Sequence, residues 1–185
     1  MKCIMIYIKI KYKIDMEYLY SFLFKNKMIT IASTRFNNDT WNENMDYRRT
    51  NELQGCIYGT PNPMSELIPL NTNVIICEMN NSCDKIMGLG LIKNYLYTNK
   101  QYQIYSKGNY NRFTYLSDYR VDREDILEDE KKIIEDLEKI VFKGKDHIKR
   151  GFGITSIPQK KMSKLNYNIK EKVWELFSTR FHFLN

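Results

Sequence analysis

The sequence predicts an α+β fold: a small β-barrel or strongly curved mixed sheet, flanked by helices near 122–142 and 168–181. Three observations carry this. Two apolar runs, Asn73 to Met79 and Ile86 to Ile92, are separated by a turn cluster and read as a hairpin. Gly88 and Gly90 fall two apart on one face of the second run, where missing side chains permit close approach or a sharp bend. Downstream, Ile126, Ile133, Ile134, Leu137, Ile140 and Val141 form a stripe of helical period.

Taken in chain order, Ile4, Ile6, Ile8, Ile10, Tyr12 and Ile14 alternate as in an amphipathic strand. Lys9, Lys11 and Lys13 interrupt that stretch, and no small-residue cleavage site follows, so it does not read as a signal peptide. Residues 1–27 are treated as an extension, with Met16 as a second possible start. Met28 to Ser33 reads as a strand, and 36–56, rich in Asn and charge, as a long surface excursion. Pro61, Pro63 and Pro69 keep 60–69 extended or turning. Tyr95 to Tyr97, Tyr102 to Tyr105 and Arg112 to Leu116 read as short strands. Acids crowd the first turns of the helix at 122–142, with Asp122 as N-cap, and Gly144 follows its end. Val173, Trp174, Phe177 and Phe181 share one side of the last helix.

The length of 185 residues, without repeats or a low-complexity linker, predicts one domain. Mean hydropathy is −0.54 and no apolar run reaches the ~20 residues of a membrane span. Cys3, Cys56, Cys77 and Cys83 form no C-x-x-C pair, which predicts a reducing, cytoplasmic setting. His147 and His182 are the only histidines, so neither a metal nor another cofactor is expected. The net charge is +7, in a Lys-, Ile-, Asn- and Tyr-rich composition of the kind AT-rich genomes produce, such as those of large DNA viruses or protists. The charges are segregated. Residues 118–138 carry ten acids and four bases, whereas 143–172 carry nine bases and two acids. That arrangement favours a one-signed patch for a polyanion.

Three constellations could carry chemistry. Gly144 to Thr155 joins glycines to Lys145, Lys149 and Arg150, fit to contact a phosphate backbone or simply to form a solvated basic turn. It lacks the spacing and following helix of a Walker A loop. Trp41 to Asn51 sets an indole among Asn and Arg residues, fit to stack on an unpaired base or to anchor a loop over the core. Asp118, Asp122, Glu124 and Asp125 could hold a divalent metal, although acids at a helix start need no metal to explain them.

One ordered set of patterns resembles a known family. A strand (MITIAS) precedes a Trp-containing polar segment ending in YRRTN; then come PLNTNVIICEM and the glycine-bearing KIMGLGLIKN. Over residues 28–94 this resembles the PUA-like superfamily of small β-barrels, especially EVE and YTH-type domains. The resemblance implies a non-catalytic reader that holds RNA or DNA on a basic surface and turns one nucleotide into a pocket. A cage for a methylated base would need a wall beside Trp41, from Tyr47, Tyr58 or Phe36. The helix at 122–142 and the basic segment lie outside the resemblance.

The resulting expectation is an RNA-binding module that reads a modified or flipped-out nucleotide, with an mRNA 5′ end as one such target. Its base pocket is assigned to Trp41, Asn38, Asn42, Tyr47, Asn51 and Tyr58. Its backbone contacts are assigned to Arg48, Arg49, Lys145, Lys149, Arg150, Lys160 and Lys161. No catalytic residue is assigned. Two other classes stay open: a metal-dependent nuclease or nucleotide-processing enzyme built on Asp118, Asp122 and neighbouring carboxylates, and a protein-docking subunit using the acidic helix.

Overall fold

A computed structural model describes residues 29–98 and 101–181. The expected strand within residues 1–27 lies outside them. Strand β1 (Ile29–Phe36) leads directly into helix α1 (Asn38–Thr50), and β2 (Cys56–Thr60) follows. Next come β3 (Asn73–Asn80) and β4 (Lys85–Lys93), the expected hairpin. Strands β5 (Phe113–Ser117) and β6 (Tyr119–Asp122) precede helix α2 (Lys131–Phe142). A two-residue β7 (Thr155–Ser156), a short α3 (Gln159–Met162) and α4 (Ile169–Phe181) complete the described chain.

The fold is mixed α+β. Five strands form one sheet in the order β6-β4-β3-β1-β7, with β1 and β3 parallel and the other pairs antiparallel. β2 and β5 form a separate antiparallel pair. The main sheet is open, ending at β6 and β7, and does not close into a barrel.

Period-2 alternation sends the two faces of the sheet into different cores. Ile75, Cys77, Leu89, Leu91 and Val121 pack against α2 and α4 through Leu137, Val141, Val173, Trp174 and Phe177. Val74, Ile76 and Ile92 point the other way, toward α1 and the β2–β5 pair, where Trp41, Ile57, Tyr58 and Tyr115 are buried. Gly88 and Gly90 also face this second core, and their role is close approach. A Cβ on Gly90 would stand 2.0 Å from the Tyr58 hydroxyl, and one on Gly88 2.6 Å from Glu78 Oε2.

Three local expectations are corrected. The excursion at 36–56 is largely helix α1. Its start is a capping box: Asn37 Oδ1 accepts from Thr40 N at 2.9 Å and Thr40 Oγ1 from Asn37 N at 3.0 Å. The single helix at 122–142 is instead two 3-10 turns, 123–125 and 128–130, ahead of α2. The helix is interrupted because Ile126 and Leu127 are extended, Ile126 turning into the core. Asp122 closes β6 and makes no side-chain cap. Finally, Tyr95–Tyr97 and Tyr102–Tyr105 form no strand. Asn111 satisfies the second segment through its side chain, accepting from Ile104 N and Tyr105 N at 3.0 Å each. No helix among the described residues is long and apolar enough to cross a membrane.

Candidate functional site

The end of β1 opens onto a cavity of about 300 Å³. Thr34, Arg35 and Phe36 form one side, and Asn37 and Thr40 of the α1 start continue it. Gly59 of β2, the segment from Tyr105 to Tyr110, Asn81, Phe152 and Gly153 complete the lining. This volume lies at the lower end of the range typical of small-ligand sites.

Four aromatic rings, Phe36, Tyr105, Tyr110 and Phe152, contribute to otherwise largely polar walls, with Phe36 and Tyr105 themselves buried. Tyr110 bridges two of them, with centroids 6.3 Å from Tyr105 and 6.0 Å from Phe152. Phe36 is buried and braced from behind by Trp41, edge to face at 5.3 Å and 78°. Phe152 is 52% exposed, although its loop buries its neighbour Ile154. Gly59 makes the site possible, since a Cβ there would meet the Tyr110 carbonyl at 2.4 Å. Gly153 turns the loop at φ +68°, a conformation that costs other residues strain.

Two cations line the cavity, Arg35 and Lys107, and among the described residues neither has an ion pair. Arg35 Nη1 donates to the Lys149 carbonyl at 3.3 Å, and Asn81 Nδ2 donates to the same oxygen at 3.0 Å. These two bonds pin the 144–153 loop to the strand ends. Among the described residues the lining contains no carboxylate, imidazole or thiol. Its most buried phenol, Tyr105, is pushed up by burial and is poorly suited to act as a base. The arrangement can hold a flat ring and an anion, but it offers no general acid–base pair.

Behind the cavity wall lies a buried ionic network. Arg120 forks onto Glu78, with Nε 3.0 Å from Oε1 and Nη2 2.8 Å from Oε2, both side chains 1% exposed. The Tyr58 hydroxyl donates to Glu78 Oε1 at 2.7 Å, and Arg120 Nη1 reaches Asp122 Oδ1 at 2.6 Å. Burial above all, with the neighbouring Cys56 and the Glu78 carboxylate, pushes the Tyr58 phenol well above its usual range, so it stays a donor. Burial opposes the charge on Arg120, but Glu78 and Asp122 outweigh it and keep the guanidinium protonated. Burial and Glu78 likewise push the Cys56 thiol up to about 12. Trp41 lies between two guanidinium groups, Arg48 and Arg120, each 5.8 Å from its ring.

The residues expected to form a base pocket are therefore dispersed. Trp41 is 6% exposed and Tyr58 1%, so neither presents a face to a base; both belong to the second core. Asn38 is exposed at the α1 start and accepts from Asn80 Nδ2 at 3.0 Å. Asn42 is exposed one turn further along the helix. Tyr47 and Asn51 lie near the other helix end, where Asn51 Nδ2 donates to the Tyr47 carbonyl at 2.9 Å. Of the walls considered beside Trp41, Phe36 is the one that lines the cavity.

The expected backbone contacts divide differently. Lys145 and Arg150 are exposed and, among the described residues, unpaired. Lys149 is engaged with Asp84 at 2.6 Å. Arg49 pairs with Asp46 at 2.8 Å, and Arg48 Nε donates to Asn44 Oδ1 at 3.2 Å. Lys160 is exposed and Lys161 half-buried on α3. Asp118 and Asp122 stand at opposite ends of β6, about 13 Å apart along an extended strand. They cannot share one metal ion, and no group of three metal-ligating residues occurs among the described residues.

Sequence reading missed Arg35, Tyr105, Lys107, Tyr110 and Phe152 as site residues. The signal available was Phe152 beside two glycines in the basic loop, an aromatic with no periodic reason to be there. No protein-family model, curated protein or solved structure matches this chain significantly.

Proposed function

We propose that the protein is a non-catalytic RNA-binding module that takes one unpaired, modified or flipped-out nucleotide into the cavity at the end of β1. The carrying observation is its lining, which among the described residues holds aromatic rings and two cations without an ion pair, and no acid–base pair. Aromatic side chains stack on unpaired bases whatever the sequence, and cations hold the attached phosphate. The 144–153 loop supports this reading by contributing Phe152 to the cavity while carrying Lys145 and Arg150 outside it. The PUA-like relationship remains a proposal that rests on the patterns at 28–94. The open sheet departs from a closed barrel of that type.

The test is a titration of labelled single-stranded RNA in EDTA. The proposal predicts binding without magnesium, no strand cleavage, and a salt dependence that flattens by roughly 0.7 for each lost contact in Arg35→Ala and Lys107→Ala. Cleavage that requires magnesium would instead establish the nuclease class. Absence of binding would leave the protein-docking class.

A further inference from the structure

A second cavity lies at the opposite end of the central sheet. Asn73, at the start of β3, pairs with Ile29, the first described residue of β1, and lines this cavity. Its volume is about 570 Å³. The first cavity sits instead at the far ends of β1 and β3, so the two share no residue.

The walls are unusual in chemistry. Tyr95 and Tyr97 follow β4 and Tyr119 opens β6; these three line the space together with Trp174 of α4, which is 4% exposed and belongs to the helical core. The Tyr95 and Tyr97 rings stand nearly perpendicular, at 87° with centroids 5.3 Å apart. Tyr95 is 53% exposed, and Tyr119, whose ring packs against Phe181 with centroids 5.3 Å apart, is 38% exposed. Among the described residues the cavity's one carboxylate is Asp118, at the bend between β5 and β6, and it has no ion pair among them. Lys93, exposed at the end of β4, is its one cation among the described residues.

We infer that this cavity binds a small organic cation carrying a methylated ammonium group. Aromatic faces attract cations through their quadrupole, most strongly when the cation is weakly hydrated and easily stripped of water. A methylated ammonium meets that condition, and a primary ammonium meets it less well. Asp118 supplies the opposite charge that rings alone do not. Lys93 disfavours a bare dication and selects for a ligand whose other end is neutral or anionic. The site is separate from the proposed nucleotide cavity, so the inference does not depend on the RNA-binding reading.

The test uses choline and its neutral isostere 3,3-dimethylbutan-1-ol, which share shape but differ in charge. Calorimetry or NMR titration of the full chain should show saturable choline binding. The isostere should bind about tenfold more weakly, the size of a partly desolvated cation–π contact. Tyr95→Ala and Asp118→Asn should each weaken choline several-fold while leaving melting temperature and RNA affinity unchanged. Tyr95 is exposed enough that its loss should not unfold the chain. Equal binding of the two probes, no saturable choline binding, or choline affinity unchanged in both variants would each overturn the inference.

Discussion

The two faces of the central sheet solve the burial problem differently. The face under α2 and α4 is filled by aliphatic and aromatic side chains, from Ile31 and Leu89 to Leu137 and Phe177. The face under α1 and the β2–β5 pair holds Glu78 and Arg120 within its core, with Gly88 and Gly90 kept bare to make room. The first arrangement is forgiving, because aliphatic burial is non-directional. The second is directional: each buried charge depends on a particular partner at a particular distance. The candidate nucleotide cavity stands on that second side, and Trp41 joins the two, contacting Arg120 on one side and Phe36 of the cavity wall on another. Apolar packing thus supplies most of the stability, while the ionic side fixes the geometry on which the cavity wall rests.

The sharpest way to break this comparison is to strand one charge. Arg120→Met leaves Glu78 buried without its cation and should cost about 3–5 kcal/mol in chemical denaturation. Replacing Glu78 and Arg120 together with Gln and Met should recover a large part of that loss. A single-variant cost near zero would show that the network holds nothing in place.

On the aliphatic face, Leu137→Ala should cost about 3 kcal/mol, since it deletes a fully buried side chain. This change should leave RNA affinity of the folded protein intact, because it touches only the helical core. An affinity loss as large as the stability loss would show that the two faces are not separable.

A smaller, pH-dependent effect belongs to Asp136, a buried carboxylate on α2. Burial alone would raise its carboxyl, but Lys139 and Lys132, with the Tyr167 hydroxyl, hold it down to about 2. A depressed carboxyl stabilises above its unfolded value and loses that contribution as pH falls through its folded value. The wild type should therefore exceed Asp136→Asn by on the order of 1–2 kcal/mol above pH ~5, and the gap should close toward pH ~2. A gap independent of pH would assign the difference to packing.

How much of this was legible in the sequence follows from which residues carry period. The β3–β4 hairpin and α4 were readable because their apolar residues repeat. Helix α1 was not, because it turns only Trp41 and Asn44 fully inward and is otherwise polar; its Asn37–Thr40 cap was the missed cue. Asn44 is the clearest case. It is fully buried, donating to the Ile57 carbonyl at 2.8 Å and to the Tyr105 hydroxyl at 3.2 Å, yet a lone Asn in an Asn-rich stretch carries no such sign. Gly88 and Gly90 announced a close approach, but not that a tyrosine and an ion pair would fill the space. The cavity gathers residues from five separate stretches, and no local pattern links Arg35 to Tyr110 or Phe152.

The most direct test of the central claim is the RNA affinity of Phe152→Ala, read beside its melting curve. Phe152 is half exposed, so the fold should hold and the melting temperature should barely move. The account predicts a loss of about 1–3 kcal/mol in binding to single-stranded RNA, the usual contribution of one base-stacking aromatic. Unchanged affinity in a fully folded Phe152→Ala protein would contradict it.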